Sequence, residues 1–444
     1  MGGAASTTDT GVITVAGDGT IGLSRGFFDY FRDEVPQPFN GISPAVGPAQ
    51  VALIQTNWDN IFIGTSAFDP TTRLTPAKFF YSTFYSTLFT STPSLRSLFR
   101  SSMTTQGKTL AGALGTIVTI ANGGQFVETM ETIAKRHLGL GITKQHYKDF
   151  GVALLTTLEL VSGDVWSKAV KDAYFNAYTL CFYVMMPIIA GDDPAPLPES
   201  LPATITKSIA VSATGKRLTL SFKNPPKYYP GDALWLGLAL ESGEVRRHFV
   251  VVSLPDDDRD GKDISIFVDD ACPATHWLCA QPVESIVQFL WVESDFRFET
   301  DAPEVIPEHV VFVSYGVGCV PFITMTEGLY RVQDKWNGSV VSLQCGAPPN
   351  DLERLNDGVS TSGTKITWSK YKVVFADSVT ATALTENAPH IAAAELYVNG
   401  PAAFVASVKE AWVAAGGSPD RMNWYAMALD DRFASVPPLN LATT

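Results

Sequence analysis

Several things are missing from this 444-residue chain, and each absence narrows what it can be. Cysteine is scarce: Cys181, Cys272, Cys279, Cys319 and Cys345 are odd in number and show no C-x-x-C spacing. Neither a disulfide framework nor a zinc site is indicated, and a reducing cytoplasm is the expected compartment. Clusters of Lys and Arg are also absent, and the formal net charge is −13. A polyanion partner needs clustered cations to neutralise phosphates, so no nucleic acid partner is expected. Long apolar runs are lacking too. The longest, Thr179 to Ala190, is too short for a bilayer core of about 30 Å, which takes roughly 20 helical residues. Charged residues make up only 17% of the chain and hydrophobic residues 45%, with 26 Phe and nine Trp. That is enough apolar surface for a globular protein, and the length implies two or three domains.

The chain begins Met1-Gly2-Gly3-Ala4-Ala5-Ser6, which fits the M-G-x-x-x-[ST] pattern for a myristoyl group on Gly2. No polybasic run follows and no Cys precedes Cys181. A single acyl chain gives only marginal membrane binding, so the expected location is cytoplasmic, with at most a weak peripheral membrane contact. Residues 1–45, rich in Gly, Pro, Ser and Thr, are expected to be a disordered extension with one docking point at Phe27-Phe28-Asp29-Tyr30-Phe31.

From Pro48 a helical period appears, with Val51, Ile54, Trp58, Ile61 and Phe62 on one stripe. Thr75-Pro76 then starts a helix carrying Phe79, Phe80, Phe84, Leu88 and Phe89. Helical stretches continue at Leu110–Ala121, Phe126–Leu138, Gln145–Leu158 and Val165–Met186, giving an all-α domain over 46–190. A linker follows at 191–202, where Asp192-Asp193-Pro194-Ala195-Pro196 breaks the helical pattern. The period then drops to two, and the short strands of 203–302 predict a β barrel. Over 303–435 apolar strands alternate with helices, predicting an α/β domain with a parallel sheet, and 436–444 is a tail.

Periodicity says nothing about chemistry, which enters with one run of residues. Phe84-Tyr85-x-x-x-Phe89-x-x-x-Pro93-x-Leu95-x-x-x-Phe99 is followed by Gln106-x-x-x-Leu110, then Lys135-Arg136-His137 and Tyr147. This pattern resembles the globin domain of a flavohaemoglobin over about 150 residues. The resemblance implies haem b, with His137 as the axial iron ligand, Phe99 against the porphyrin, and Tyr85, Gln106 and Leu110 around bound gas. A neutral imidazole suits iron, and a phenol or amide can donate a hydrogen bond to bound dioxygen. His146 is expected at a helix start or on the surface. The family carries a Glu on the last globin helix that supports the proximal His, and Cys181 to Ala190 contains no acid.

The second half resembles the ferredoxin-reductase module that follows the globin in flavohaemoglobins. Gly316-Val317-Gly318-Cys319-Val320-Pro321 opens a helix after a strand, as in a nicotinamide dinucleotide site, and Asn399-Gly400-Pro401 stands for the family's Cys-Gly-Pro. At the FAD site Arg247-His248-Phe249-Val250 replaces Arg-x-Tyr-[Ser/Thr], which leaves Phe249 as the stacking candidate. Thr275 is kept without the Gly that precedes it in the family, and Trp424-Tyr425 replaces a Glu and an aromatic. Gln344-Cys345-Gly346-Ala347-Pro348 has no basic residue for a 2′-phosphate, so NADH and NADPH both stay open. The resemblance therefore implies O2 and NO as ligands. It also implies nitric oxide dioxygenase activity if electrons pass from NAD(P)H through FAD to haem. The alternative is a non-enzymatic gas sensor or oxygen carrier whose second module is an interaction domain, with an external reductase if haem is to be reduced.

Overall fold

The computed structural model describes residues 8–69, 75–102, 105–107, 110, 123–190, 198–255, 257–258, 260–293, 296–361 and 366–427. Gly2, most of Leu110–Ala121, the proline-rich part of the linker and the 436–444 tail lie outside them. The described residues fall into two compact units. One runs to Glu199 except for Arg100–Ser102, and the other takes those three residues and the chain from Ser200.

The first unit opens with a four-stranded antiparallel sheet: β1 Thr8–Asp9, β2 Ile13–Val15, β3 Ile21–Leu23 and β4 Ala45–Val46. This corrects the expectation of a disordered extension over residues 8–45; residues 1–7 lie outside the described ones. Ile13, Ile21, Leu23 and Val46 alternate onto one buried face, and Phe39 is fully buried. Phe39 stacks on Phe175 at 5.3 Å and meets Tyr178, also at 5.3 Å, so this segment supplies core to the helices. The expected docking patch is helix α1, Arg25–Phe31, whose Phe28 ring lies 5.2 Å from that of Tyr183.

Five longer helices follow: α2 Pro48–Ile63, α3 Pro76–Ser91, α4 Gly123–Gly139, α5 Lys144–Ser162 and α6 Lys168–Ile189. Thr75 caps α3 by accepting from the Lys78 amide at 3.2 Å, as the Thr-Pro start predicts. Phe80, Phe84, Tyr85 and Leu88 form the buried face of α3. On α2 the buried residues are Ile54, Ile61 and an unpredicted polar one, Asn57, whose amide donates to the Ser162 hydroxyl at 3.0 Å. Gly151 lets α5 close on α6: a Cβ there would sit 2.3 Å from the Tyr178 ring.

The second unit begins with six antiparallel strands, β5 Leu201–Ala210, β6 Gly215–Phe222, β7 Ala233–Leu240, β8 Gly243–Val250, β9 Asp263–Asp269 and β10 Ile286–Glu293. Their order is β8-β7-β10-β5-β6-β9, and an antiparallel bridge between Val251 and Ile266 joins the two edges into the expected barrel. Helix α7, Pro273–Ala280, contributes Ala274, Leu278 and Cys279 to the barrel core.

Five parallel strands complete the unit: β11 His309–Tyr315, β12 Ser339–Cys345, β13 Tyr371–Phe375, β14 Glu395–Pro401 and β15 Met422–Met427, in the order β13-β12-β11-β14-β15. Helices α8 Val320–Arg331, α9 Pro349–Val359, α10 Ala381–Asn387 and α11 Ala402–Ala414 connect them. Along β11, Val311 and Val313 pack with Trp412, whereas Val310 and Phe312 pack with Phe322 and Leu329. Each face of the sheet thus has its own core, which is why these strands are continuous apolar runs.

At the start of β11 the His309 ring stacks on His390 with centroids 3.9 Å apart, and His309 Nδ1 lies 2.9 Å from the Ser339 hydroxyl. Burial, and then His390, hold the His309 pKa below its ordinary value. The unfolded chain therefore takes up this proton first. The contribution of the pair is complete above the unfolded value, about 6.5, and is lost as the pH falls through the lower folded value. Lowering the pH from about 7.5 to about 5.5 should reduce the melting temperature of wild type more than that of His309→Gln, measured by circular dichroism. Equal slopes would show that the stacked pair does not couple to stability.

Candidate functional site

The strongest candidate site is built on a chain reversal between α4 and α5. α4 ends at Gly139, where the His137 carbonyl accepts from the Leu140 and Ile142 amides at 2.9 and 3.1 Å. Gly141 takes a left-handed turn at φ +72°. Thr143 then caps α5: its hydroxyl accepts from the His146 amide, and its own amide donates to His146 Nδ1 at 3.1 Å. His146 is thus a helix-start residue, as expected. The reversal brings the Tyr147 hydroxyl to 2.7 Å from His137 Nδ1.

That contact decides what His137 can do. With Nδ1 held by the phenol, Nε2 is the nitrogen available to a ligand, and it has no hydrogen-bond partner among the described residues. Burial, and then the neighbouring Arg136, lower the imidazole pKa, which keeps the ring in the neutral form a metal ion needs. Tyr147 is itself fixed on two other sides. Its ring stacks on Phe182 at 5.6 Å, and its carbonyl accepts from the Tyr178 hydroxyl at 2.5 Å. Phe182 and Tyr178 therefore pack around the phenol, and no carboxylate touches it among the described residues. Both were absent from the site expected from sequence; the missing acid in Cys181–Ala190 was the only signal pointing to this helix.

Tyr85 is 1% exposed, and burial raises its phenol pKa, so it stays protonated and able to donate. Its ring is 5.8 Å from Phe89 and 5.4 Å from Phe99. Phe89 and Phe99 also meet each other at 5.6 Å. Arg96, missed in the sequence, lies over Phe89 at 5.4 Å and donates to the Phe99 carbonyl at 2.5 Å. Gln106 is half-buried, and its neighbour Gly107 abuts α3: a Cβ there would come 2.4 Å from the Tyr81 ring. Gln106 is thereby seated against the helix that carries Tyr85. Leu110 is buried in the same core. A neutral imidazole with one free nitrogen, a buried phenol donor and an aromatic lining is the donor set that haem requires, so these residues fit the group.

The second unit brings Gly316, Gly318, Pro321, Gly400 and Pro401 together at the carboxyl edge of the parallel sheet, between β11 and β14. Gly316 adopts φ +54°. Gly318 approaches Asn399 closely, and the Asn399 amide donates to the Gly318 carbonyl at 3.0 Å. The flavin residues do not assemble in this way. Phe249 pairs with Leu234 in the barrel and is 5% exposed within its core. This corrects its expected role as a stacking surface, because strand alternation turns it inward and presents His248 instead. His248 Nε2 lies 3.3 Å from the Tyr425 hydroxyl, and its ring is 5.3 Å from Trp235. The Thr275 hydroxyl, expected at a pyrophosphate, is turned back on its own helix start. It accepts from the Ala271 and Cys272 amides at 3.1 and 3.0 Å. Arg247 donates to the Arg246 carbonyl at 3.1 Å. Phe249 is thus unavailable for stacking, and Thr275 and Arg247 are engaged locally.

Residues 82–185 match the globin family model. The chain is 32% identical over 99 residues to a flavohemoprotein of Rhodopirellula baltica, covering 21% of this chain and 24% of that one. It is 31% identical over 90 residues to a flavohemoprotein of Xylella fastidiosa, covering 19% and 23%. The match thus spans about a quarter of the length of these relatives. Among solved structures, the flavohemoglobin of Malassezia yamatoensis with bound FAD and haem gives a TM-score of 0.42 at 15% identity, over 86% of this chain and all of that one. The FAD/NAD-binding domain of the Vibrio cholerae nitric oxide dioxygenase gives 0.41 at 16% identity, over 52% and 99%.

Replacing Tyr147 by Phe removes the 2.7 Å contact and little else. We expect a loss of about 1 kcal/mol in stability and roughly tenfold weaker haem retention, measured as transfer to a scavenging apoglobin. Unchanged retention would mean that this hydroxyl does not orient His137.

Proposed function

We propose that the first unit holds haem b through His137 Nε2 and binds O2 and NO. The observation that carries this reading is the His137–Tyr147 contact, which fixes the imidazole and leaves one nitrogen for a metal. Haem, when bound, supplies an iron with a position open to a diatomic gas. The chain's own residues hold and shelter that position. His137 is neutral because it is buried, Tyr85 supplies a protonated donor, Gln106 a second, and Leu110 and Phe99 exclude water. Without a carboxylate behind Tyr147, the imidazole gains less electron-donating strength than a carboxylate-backed histidine would have. That favours gas binding over oxidative chemistry.

Nitric oxide dioxygenase activity, with electrons from NAD(P)H through FAD, is the enzymatic form of this proposal. The second reading is a gas sensor or oxygen carrier in which the second unit is an interaction domain and any reductant comes from an external reductase. A specific observation favours it: Thr275 is turned onto its own helix start, and Tyr425 meets His248 directly.

One spectroscopic experiment separates these readings. Purified full-length protein should show a haem absorption band that is lost in His137→Ala; a band that survives the substitution removes His137 as ligand. Under anaerobic carbon monoxide, a shift to the ferrous carbonyl spectrum on adding NADH supports the dioxygenase. A shift only with a chemical reductant supports the sensor or carrier.

A further inference from the structure

Tyr315 plays no part in either reading, yet it occupies a distinctive place. It is the last residue of β11, at the carboxyl edge where the strand order changes direction between β11 and β14, and it is 42% exposed. Its ring lies face-on over Gly346, just past the end of β12: a Cβ on Gly346 would come within 2.7 Å of each of three ring carbons. Gly346 also adopts φ +84°, a conformation that side chains rarely take. On the other side, a Cβ on Gly400 of β14 would lie 2.9 Å from the Tyr315 Cβ. The Phe404 ring is 5.3 Å away at the start of α11. Two glycines on the flanking strands therefore make room for one aromatic ring laid across the strand ends.

In open parallel sheets this edge is where a dinucleotide binds. The pyrophosphate sits on the glycine turn after the first strand, and a polar group at the end of the next strand holds the adenosine ribose. The next strand here is β12. Its buried amide, Gln344, is paired reciprocally with Asn356 at 3.0 and 2.7 Å and so is turned away from any ribose. The adenosine half of the crevice therefore meets an aromatic ring where an open cleft is needed.

We propose that the Tyr315 ring is the resident occupant of this crevice and excludes pyridine nucleotides from the second unit. The inference rests on the sensor or carrier reading and opposes the NAD(P)H-driven one; it concerns the second unit alone, so haem binding by the first unit stands or falls separately. The ring, not the hydroxyl, is the obstruction, because it is the ring that covers Gly346.

The test is equilibrium dialysis of full-length protein against NADH and against NADPH. Wild type and Tyr315→Phe should show no saturable uptake. Tyr315→Ala should bind at least about tenfold more tightly than wild type. Tyr315→Val serves as a second ring-free variant should the alanine variant not fold, with the melting curve as the folding control. The proposal is overturned if wild type binds either nucleotide as tightly as the ring-free variants. It is equally overturned if no folded ring-free variant gains binding, or if Tyr315→Phe gains it as much as Tyr315→Ala does.

Discussion

The first unit turns on one hydrogen bond, between His137 Nδ1 and the Tyr147 hydroxyl; the tautomer that leaves the Nε2 lone pair free is the one in which Nδ1–H donates. It depends on a capped reversal between two helices and on a ring packed against the last helix, and each support is itself a local preference of the sequence. Gly141 permits the turn, Thr143 and His146 stop the chain from fraying, and Phe182 holds the phenol in plane. Three separate features thus converge on the orientation of one imidazole. Such convergence leaves the ring little freedom to turn.

The second unit shows the opposite economy. Its barrel and doubly covered sheet are complete, with apolar cores inside the barrel and on each face of the parallel strands. Several polar side chains at the barrel and at the strand ends are satisfied within the chain. Thr275 caps its own helix, Gln344 pairs with Asn356, and His248 meets Tyr425. The cores and these hydrogen bonds are independent of any bound cofactor.

Much of this was legible in the sequence for stated reasons. The change of period from near four to two located the passage from helices to strands, and the Thr-Pro start of α3 marked a cap that the structure contains. The spacing from Tyr85 to Tyr147 named the candidate pocket because helix offsets are local. What stayed hidden depended on long-range register. Phe249 faces inward because it pairs with Leu234, which a β8 sequence alone cannot reveal. Phe39 sits in a stretch of glycine and proline, and its value comes from Phe175, Tyr178 and Phe182, more than a hundred residues away. Tyr315 shows its meaning only beside Gly346 and Gly400, which come from two other strands.

The small sheet at the start of the chain bears on how such a protein is inherited. The globin likeness begins at residue 82, whereas the core that encloses Phe175, Tyr178 and Phe182 already begins at Ile13. The stretch of recognisable likeness and the folding core therefore have different edges. A fragment cut where ancestry becomes recognisable would leave the aromatic face of the last helix bare to water. The four short strands belong to the first unit's architecture even though the globin match does not reach them.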